Sequence, residues 1–137
     1  MANIQGNYLD NQYAPSSVQT FTDFFEASSN ICDNCATELV GYFLAPIAGG
    51  YIFQIAADDY GGATEQAGAI IATCPGWAAS RQWDKYSEQT SSPQQLTAQE
   101  YYFLCAMSNE GGGGDNLAVG AIMPDGTLLQ PIPGKTC

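Results

Sequence analysis

The 137 residues suffice for one domain that buries roughly two-thirds of the surface its unfolded chain exposes. Only 12% are charged, against about 25% in ordinary domains, and 14 acidic against 3 basic side chains give a net charge of −11. Such a chain lacks the clustered cations that nucleic acid or an anionic membrane requires, and with no histidine it lacks the commonest general acid/base, so neither those partners nor an enzyme is expected and no catalytic residue is assigned.

Residues 1–20 are polar and loop-like, with Pro15-Ser16-Ser17 as a turn, and form an N-terminal segment that could extend as an arm. Met1 to Gln5 has neither a basic nor an apolar leader pattern, so no secretion signal is expected in the sequence as given. Residues 21–137 read as one domain. Residues 21–27 are a short apolar patch compatible with a strand or a helical turn. The uncharged run over 39–57 is nearly long enough to cross a bilayer, but Pro46, Gly49 and Gly50 break it. It reads as two strands, 38–44 and 50–57, joined by a turn, with Tyr51, Phe53 and Ile55 alternating against Ile52, Gln54 and Ala56. Further strands are expected at 69–74, 95–96, 101–107, 117–123 and 128–131, whereas residues 61–68 read as a polar loop. No segment keeps helical periodicity over three turns. The expected architecture is all-β: an antiparallel β-sandwich with long loops and few or no helices.

The five cysteines, Cys32, Cys35, Cys74, Cys105 and Cys137, are many for a chain of this size and point to disulfides in an oxidising compartment. Their odd number leaves one for an intermolecular bond, with the terminal Cys137 as the candidate. A zinc site is the alternative, although Cys74 and Cys105 lack the tight spacing of Cys32 and Cys35.

Two oxygen-rich stretches carry the candidate chemistry. Asp58-Asp59 ends the strand 50–57. On a regular trans strand the two carboxylates point to opposite faces, and on spacing alone two solvated turn aspartates are the simpler reading. A cis peptide would place them on one side, where at ~4 Å they repel by roughly 4 kcal/mol unless a cation intervenes. The second stretch, Asn109-Glu110-Gly111-Gly112-Gly113-Gly114-Asp115-Asn116, joins two strands. Its glycines reach positive φ and expose carbonyls such as that of Gly113, while Asp115, Asn116 and Asn109 add side-chain oxygens. Calcium takes six to eight such oxygens and leaves positions for vicinal hydroxyls of a sugar. On the calcium reading, which spacing alone does not establish, the metal ligands are Asp58, Asp59, Asp115, Asn116 and Gly113, and the sugar contacts are Asp58, Asp59, Asn116 and Tyr60. Tyr86 is a weaker platform, Trp77 and Trp83 read as structural packing, and Arg81 and Lys85 as pairing with Asp84 or Glu88.

The order of Gly41-Tyr42-Phe43-Leu44-Ala45-Pro46, Gly50-Tyr51-Ile52-Phe53-Gln54-Ile55-Ala56-Ala57-Asp58-Asp59, Cys74-Pro75-Gly76-Trp77, Tyr101-Tyr102-Phe103, the glycine stretch and Pro124-Asp125-Gly126-Thr127 resembles the protective-antigen-like ("PA-fourteen") lectin domains of flocculins and bacterial adhesins. The resemblance runs from about Phe21 to the end. It implies a β-sandwich, a secreted or cell-surface location and, in sugar-binding members, a calcium ion held by an Asp-Asp pair joined through a cis peptide. Asp58 and Asp59 stand at that pair, and Asn116 is the nearest match to a neighbouring-loop Asn. The expected function is an extracellular calcium-dependent carbohydrate-binding module with a glycan partner. A self-assembling extracellular subunit of a filament or matrix, built on the same fold without sugar binding, is the alternative. A two-carboxylate glycosidase is disfavoured, since nothing marks an acid with a raised pKa.

Overall fold

The computed structural model describes residues 23–27, 35–64, 69–110 and 115–134. Eight strands follow in chain order: β1 Cys35–Leu44, β2 Gly49–Asp58, β3 Tyr60–Thr64, β4 Ile70–Cys74, β5 Gln94–Leu96, β6 Tyr101–Glu110, β7 Asn116–Ile122 and β8 Leu128–Leu129. They form two four-stranded sheets, ordered β1-β6-β3-β4 and β5-β2-β7-β8, with every paired strand antiparallel. The all-β sandwich expected from the sequence is therefore the fold. The only helical piece among the described residues is a 3₁₀ turn at Ser87–Gln89, and no described helix is long and apolar enough to cross a membrane. Residues 39–57 are two strands and a turn, as the proline and glycines require.

The core follows from period-two alternation. Tyr51, Phe53, Ile55 and Ala57 on β2 face inward with Leu117, Val119 and Ala121 on β7, and they meet Phe43, Leu104 and Ala106 from the opposing sheet. The Phe43 ring packs edge-on against both Tyr51 and Phe53, at centroid separations of 5.5 and 5.6 Å, the arrangement that aligns the positive edge of one ring with the negative face of another. The described part of the apolar patch, residues 23–27, is extended: Phe25 exchanges backbone hydrogen bonds with Val119 and Ile132, covering the flank of β7 beyond the short β8.

Residues 61–64 correct the sequence reading. They are not a loop: β3 lies between β6 and β4 and is hydrogen-bonded on both sides. Its composition hides this, because its contribution is close approach instead of apolar bulk. A Cβ on Gly61 would lie 2.5 Å from the Ala57 Cβ and 3.0 Å from Ile55 Cδ1, so only glycine lets β3 pass across the end of β2.

The outer face of β2 and β7 is covered as well. Gln54, Ala56, Ala118 and Gly120 point away from the core yet are buried, because residues 75–93 run along β2 and fold over it. Gln89, fully buried, holds that segment down: its Nε2 donates to the carbonyls of Ile55 (2.8 Å) and Gln82 (2.7 Å), and its Oε1 accepts from the Tyr86 amide (2.7 Å). Ser91 adds a reciprocal pair, with Phe53 N donating to its Oγ and its own amide donating to Phe53 O.

Candidate functional site

The chain crosses from one sheet to the other between Asp58, the last residue of β2, and Tyr60, the first of β3. The Asp58–Asp59 peptide is cis, as the family resemblance implies. Around it four strand ends converge. Asp58 is the register partner of Asn116 at the start of β7, and Tyr60 is the partner of Asn109 near the end of β6. The Asp59 amide donates to the Asn109 carbonyl at 2.9 Å. The two stretches singled out in the sequence thus meet at one pole of the sandwich. Asp58, Asp59, Tyr60, Asp115 and Asn116 lie together there, while Gly113 lies outside the described residues.

The electrostatics of this corner are those of crowded acids. Burial raises the Asp58 pKa above its ordinary value of 3.8, and a hydrogen bond with Asp59 and the negative charges of Asp59 and Asp115 push it further in the same direction. Lys85 opposes them. Asp115 is buried at 7% exposure. Asn116 is anchored by its Nδ2, which donates to the Ala78 carbonyl at 2.9 Å, so its Oδ1 has a fixed direction. That oxygen is buried and has no hydrogen-bond partner. A buried acceptor left unpaired costs about 1–3 kcal/mol, which a bound cation would recover.

These residues fit a hard cation by donor type: two carboxylates, an oriented amide oxygen and a third carboxylate in the second stretch. Among the described residues no three acidic or cysteine side chains converge tightly enough to form an all-carboxylate cage. The donor set is instead mixed, with amide and carbonyl oxygens beside the acid pair.

The surrounding aromatics and cations differ from the sequence reading. Trp77 is not core packing. It is 55% exposed, and the Lys85 ammonium stands 3.2 Å from its ring centroid while donating to its carbonyl at 2.8 Å. Lys85 therefore pairs with neither Asp84 nor Glu88. Arg81 reaches back to Glu26, with Nε and Nη2 each 2.9 Å from a carboxylate oxygen, and lies over the Phe24 ring. Tyr86 is packed beneath Gly76 and against the core, which removes it as a sugar platform; Tyr60, 48% exposed, remains one. The carbonyls of Ala78 and Asn109 carry no sequence signal, since any residue supplies a carbonyl.

Cys74 is a buried thiol whose Sγ donates to the carbonyls of Gly76 (3.1 Å) and Ala57 (3.5 Å), so this member of the expected disulfide set is unbridged. Burial holds its pKa above the ordinary value. Cys105 is buried in β6 with its Sγ 3.4 Å from Glu38 Oε1. Cys32, Cys137 and the Cys35 side chain lie outside the described residues.

No protein-family model matches the chain, and no curated protein does. Solved structures do. The epithelial adhesin 9 A domain from Candida glabrata, crystallised with Galb1-4GlcNAc, superposes with a TM-score of 0.54 at 19% identity over 70% of this chain and 48% of its own. The fold is that of this adhesin A domain. A subtype-switched form of that adhesin domain, in complex with beta-lactose, gives the same TM-score and identity with 47% of its length covered. A "PA14 sugar-binding domain from RTX adhesin" is similar at 22% identity over 68% of this chain, with a TM-score of 0.49. The chain spans about half the length of each of these structures.

Proposed function

We propose that the chain is an extracellular, calcium-dependent carbohydrate-binding module whose site is the corner formed by Asp58, Asp59, Asp115 and Asn116. One observation carries the reading: the Asn116 Oδ1 is buried, oriented and unpaired beside a hydrogen-bonded pair of aspartates. Repulsion within the pair and the unpaired oxygen are both relieved by the same event, binding of a hard divalent cation. Asp58, Asp59 and the Asn116 amide would hold the ion, with Asp115 contributing a further carboxylate. Bound there, the ion supplies a Lewis-acidic seat for vicinal hydroxyls.

The chain's own residues then set which sugar is accepted. Tyr60, at the start of β3, and Trp77, in the segment after β4, each present an exposed ring; aromatic faces of this kind stack on the C–H surface of a pyranose. Lys85, bound to Trp77, tempers the negative potential and favours a neutral over a cationic ligand. The fold supports the reading, since the adhesin domains sharing it were crystallised with galactosides. The same parallel supports placement at the cell surface or outside it, and a binding role over an enzymatic one.

A glycan array probed with the full chain in calcium and again in EDTA tests this. Signal on neutral glycans that disappears in EDTA supports the assignment, and equal signal in both overturns it. The second reading, a self-assembling subunit, draws support from the exposed outward aromatics of β1 and β6, Tyr42 and Tyr101, 73% and 61% exposed, on and beside β1, which is the edge strand of its sheet among the described residues. No glycan signal together with large assemblies in light scattering would favour it.

A further inference from the structure

A second concave surface lies on the same side of the molecule, away from the acid pair. Side chains at positions 54, 56 and 58 share the outer face of β2. Gln54 is four residues from Asp58, roughly 13 Å along a strand that rises ~3.3 Å per residue. Between them Ala56 and Ala118 are sealed, with exposures of 0% and 1%, and the Ala78 backbone is hydrogen-bonded above both to Ala57 and to Asn116. The two surfaces are therefore separate. Beyond that seal opens a cleft of about 520 Å³, lined by Gln54, Ser80, Arg81, Trp83, Asp84 and Gln130 among others.

Its floor is built and oriented. Gln130 Nε2 donates to Gln54 Oε1, and Gln54 Nε2 donates to Thr90 Oγ1 at 3.3 Å, so the two primary amides form a directed relay. Gln54 is 7% exposed and cannot swing away. The Trp83 indole packs over Gly120 on β7: a Cβ at that position would lie 3.4 Å from Trp83 Cη2 and 3.3 Å from Gln130 Cγ, in close contact with both. The rim is equally fixed. Arg81 adopts φ 57° and is neutralised by its two contacts to Glu26, leaving the exposed Asp84 as an acceptor at the mouth with no cation paired to it among the described residues.

One indole face, two amides locked in a relay, a hydroxyl and a carboxylate acceptor form a lining that suits a compact ring with equatorial hydroxyls and an apolar C–H face. The net charge of −11 argues against an anionic ligand. We propose that this cleft is a second carbohydrate site, taking a neutral saccharide by amide and carboxylate hydrogen bonds and indole contact, without a metal ion. Trp83 supplies the stacking surface, Gln130 and Gln54 fix hydroxyl orientation, and Asp84 accepts from a hydroxyl at the mouth. The site stands whether or not the acid pair binds calcium. If both are occupied, they face the same direction and a branched or extended glycan would gain avidity from engaging the two together.

Indole Nε1–H signals of the full, ¹⁵N-labelled chain provide the test, since Trp77 and Trp83 report on different places and the Trp83→Phe spectrum assigns them. The chain is titrated in EDTA with lactose, cellobiose, maltose and methyl α-mannoside. A saturable shift of the Trp83 signal is expected with at least one of these at a dissociation constant of about 1 mM. Asp84→Asn and Gln130→Ala should each weaken it by about tenfold while leaving the rest of the spectrum folded. Absence of a Trp83 shift with all four sugars, a shift confined to Trp77, or a response only to acetyl-arginine amide as a cationic probe would overturn the proposal. Loss of calcium-dependent glycan binding with the Trp83 response intact would overturn only the reading of the acid pair.

Discussion

Asp58 and Asn116 are direct register partners, one closing β2 and the other opening β7, with the unpaired Asn116 Oδ1 buried at their junction. Because the same ladder fixes both residues, their oxygens are positioned before any ligand arrives. A cation entering there has little ordering entropy to overcome, and the expected consequences can be measured separately.

Replacing both acids, Asp58→Ala with Asp59→Ala, should abolish the stabilisation that calcium confers. At calcium a hundredfold above its dissociation constant the wild-type chain gains about 2.7 kcal/mol by mass action. At about 4 °C per kcal/mol that is a Tm shift near 10 °C. Differential scanning fluorimetry with and without EDTA reads it, and an unchanged calcium response in the double variant would remove the pair from the site.

Asn116→Ala separates a ligand from a structural residue. Calcium affinity should fall by about tenfold, the weight of one well-placed oxygen. Stability in EDTA should change by less than about 1 kcal/mol, because losing the bond to Ala78 O is offset by removing a buried unpaired acceptor. Titration calorimetry and urea denaturation give the two numbers. A large loss in EDTA with unaltered calcium affinity would mark the side chain as purely structural.

The raised pKa of Asp58 fixes the sign of a pH effect in metal-free protein. The folded state binds a proton more tightly than the unfolded state, whose carboxyl titrates near 3.8. This group therefore favours folding below that value, and its contribution is lost as pH rises through the folded-state pKa. In EDTA, Asp58→Asn should remove that decline, so wild type and variant should diverge with rising pH above 3.8. Calcium should reverse the order at neutral pH. Parallel stability curves across this range would show that the carboxyl is not crowded as described.

Gly61→Ala tests the passage of β3 over β2. The new Cβ would meet Ala57 Cβ at 2.5 Å, and both belong to strands that cannot yield locally. A loss of about 1–3 kcal/mol in denaturant unfolding is expected. The double variant Gly61→Ala with Ala57→Gly should regain part of it, since the clash is pairwise.

Gln89→Leu should be among the most damaging substitutions outside the core. It removes the partners of Ile55 O, Gln82 O and the Tyr86 amide at a buried position, each costing about 1–3 kcal/mol if left unsatisfied. Hydrogen exchange should report loosening of residues 75–93, and with it disturbance of the Trp83 signal, before β1 and β6 are affected.

Much of the fold was legible in the sequence. Alternation over 50–57, the proline and glycine break before it, and the apolar runs at 101–107 and 117–123 name four strands, because burying one face of a strand forces a period of two. The acid pair and the second oxygen-rich stretch were visible as composition. What composition could not carry is adjacency and approach. β3 is a strand because β4 and β6 hydrogen-bond to it, a property of its neighbours that Gly61 and Gly62 do not announce. Arg81 chooses Glu26 over Asp84 because the fold brings residues 23–27 beside the loop, and Trp77 is outside while Trp83 lies on Gly120 for the same reason. The sequence by itself determined which oxygens, rings and charges exist and which segments become strands. Only the tertiary structure decided which of them meet, because sheet register couples residues far apart in the chain through backbone groups that are identical at every position.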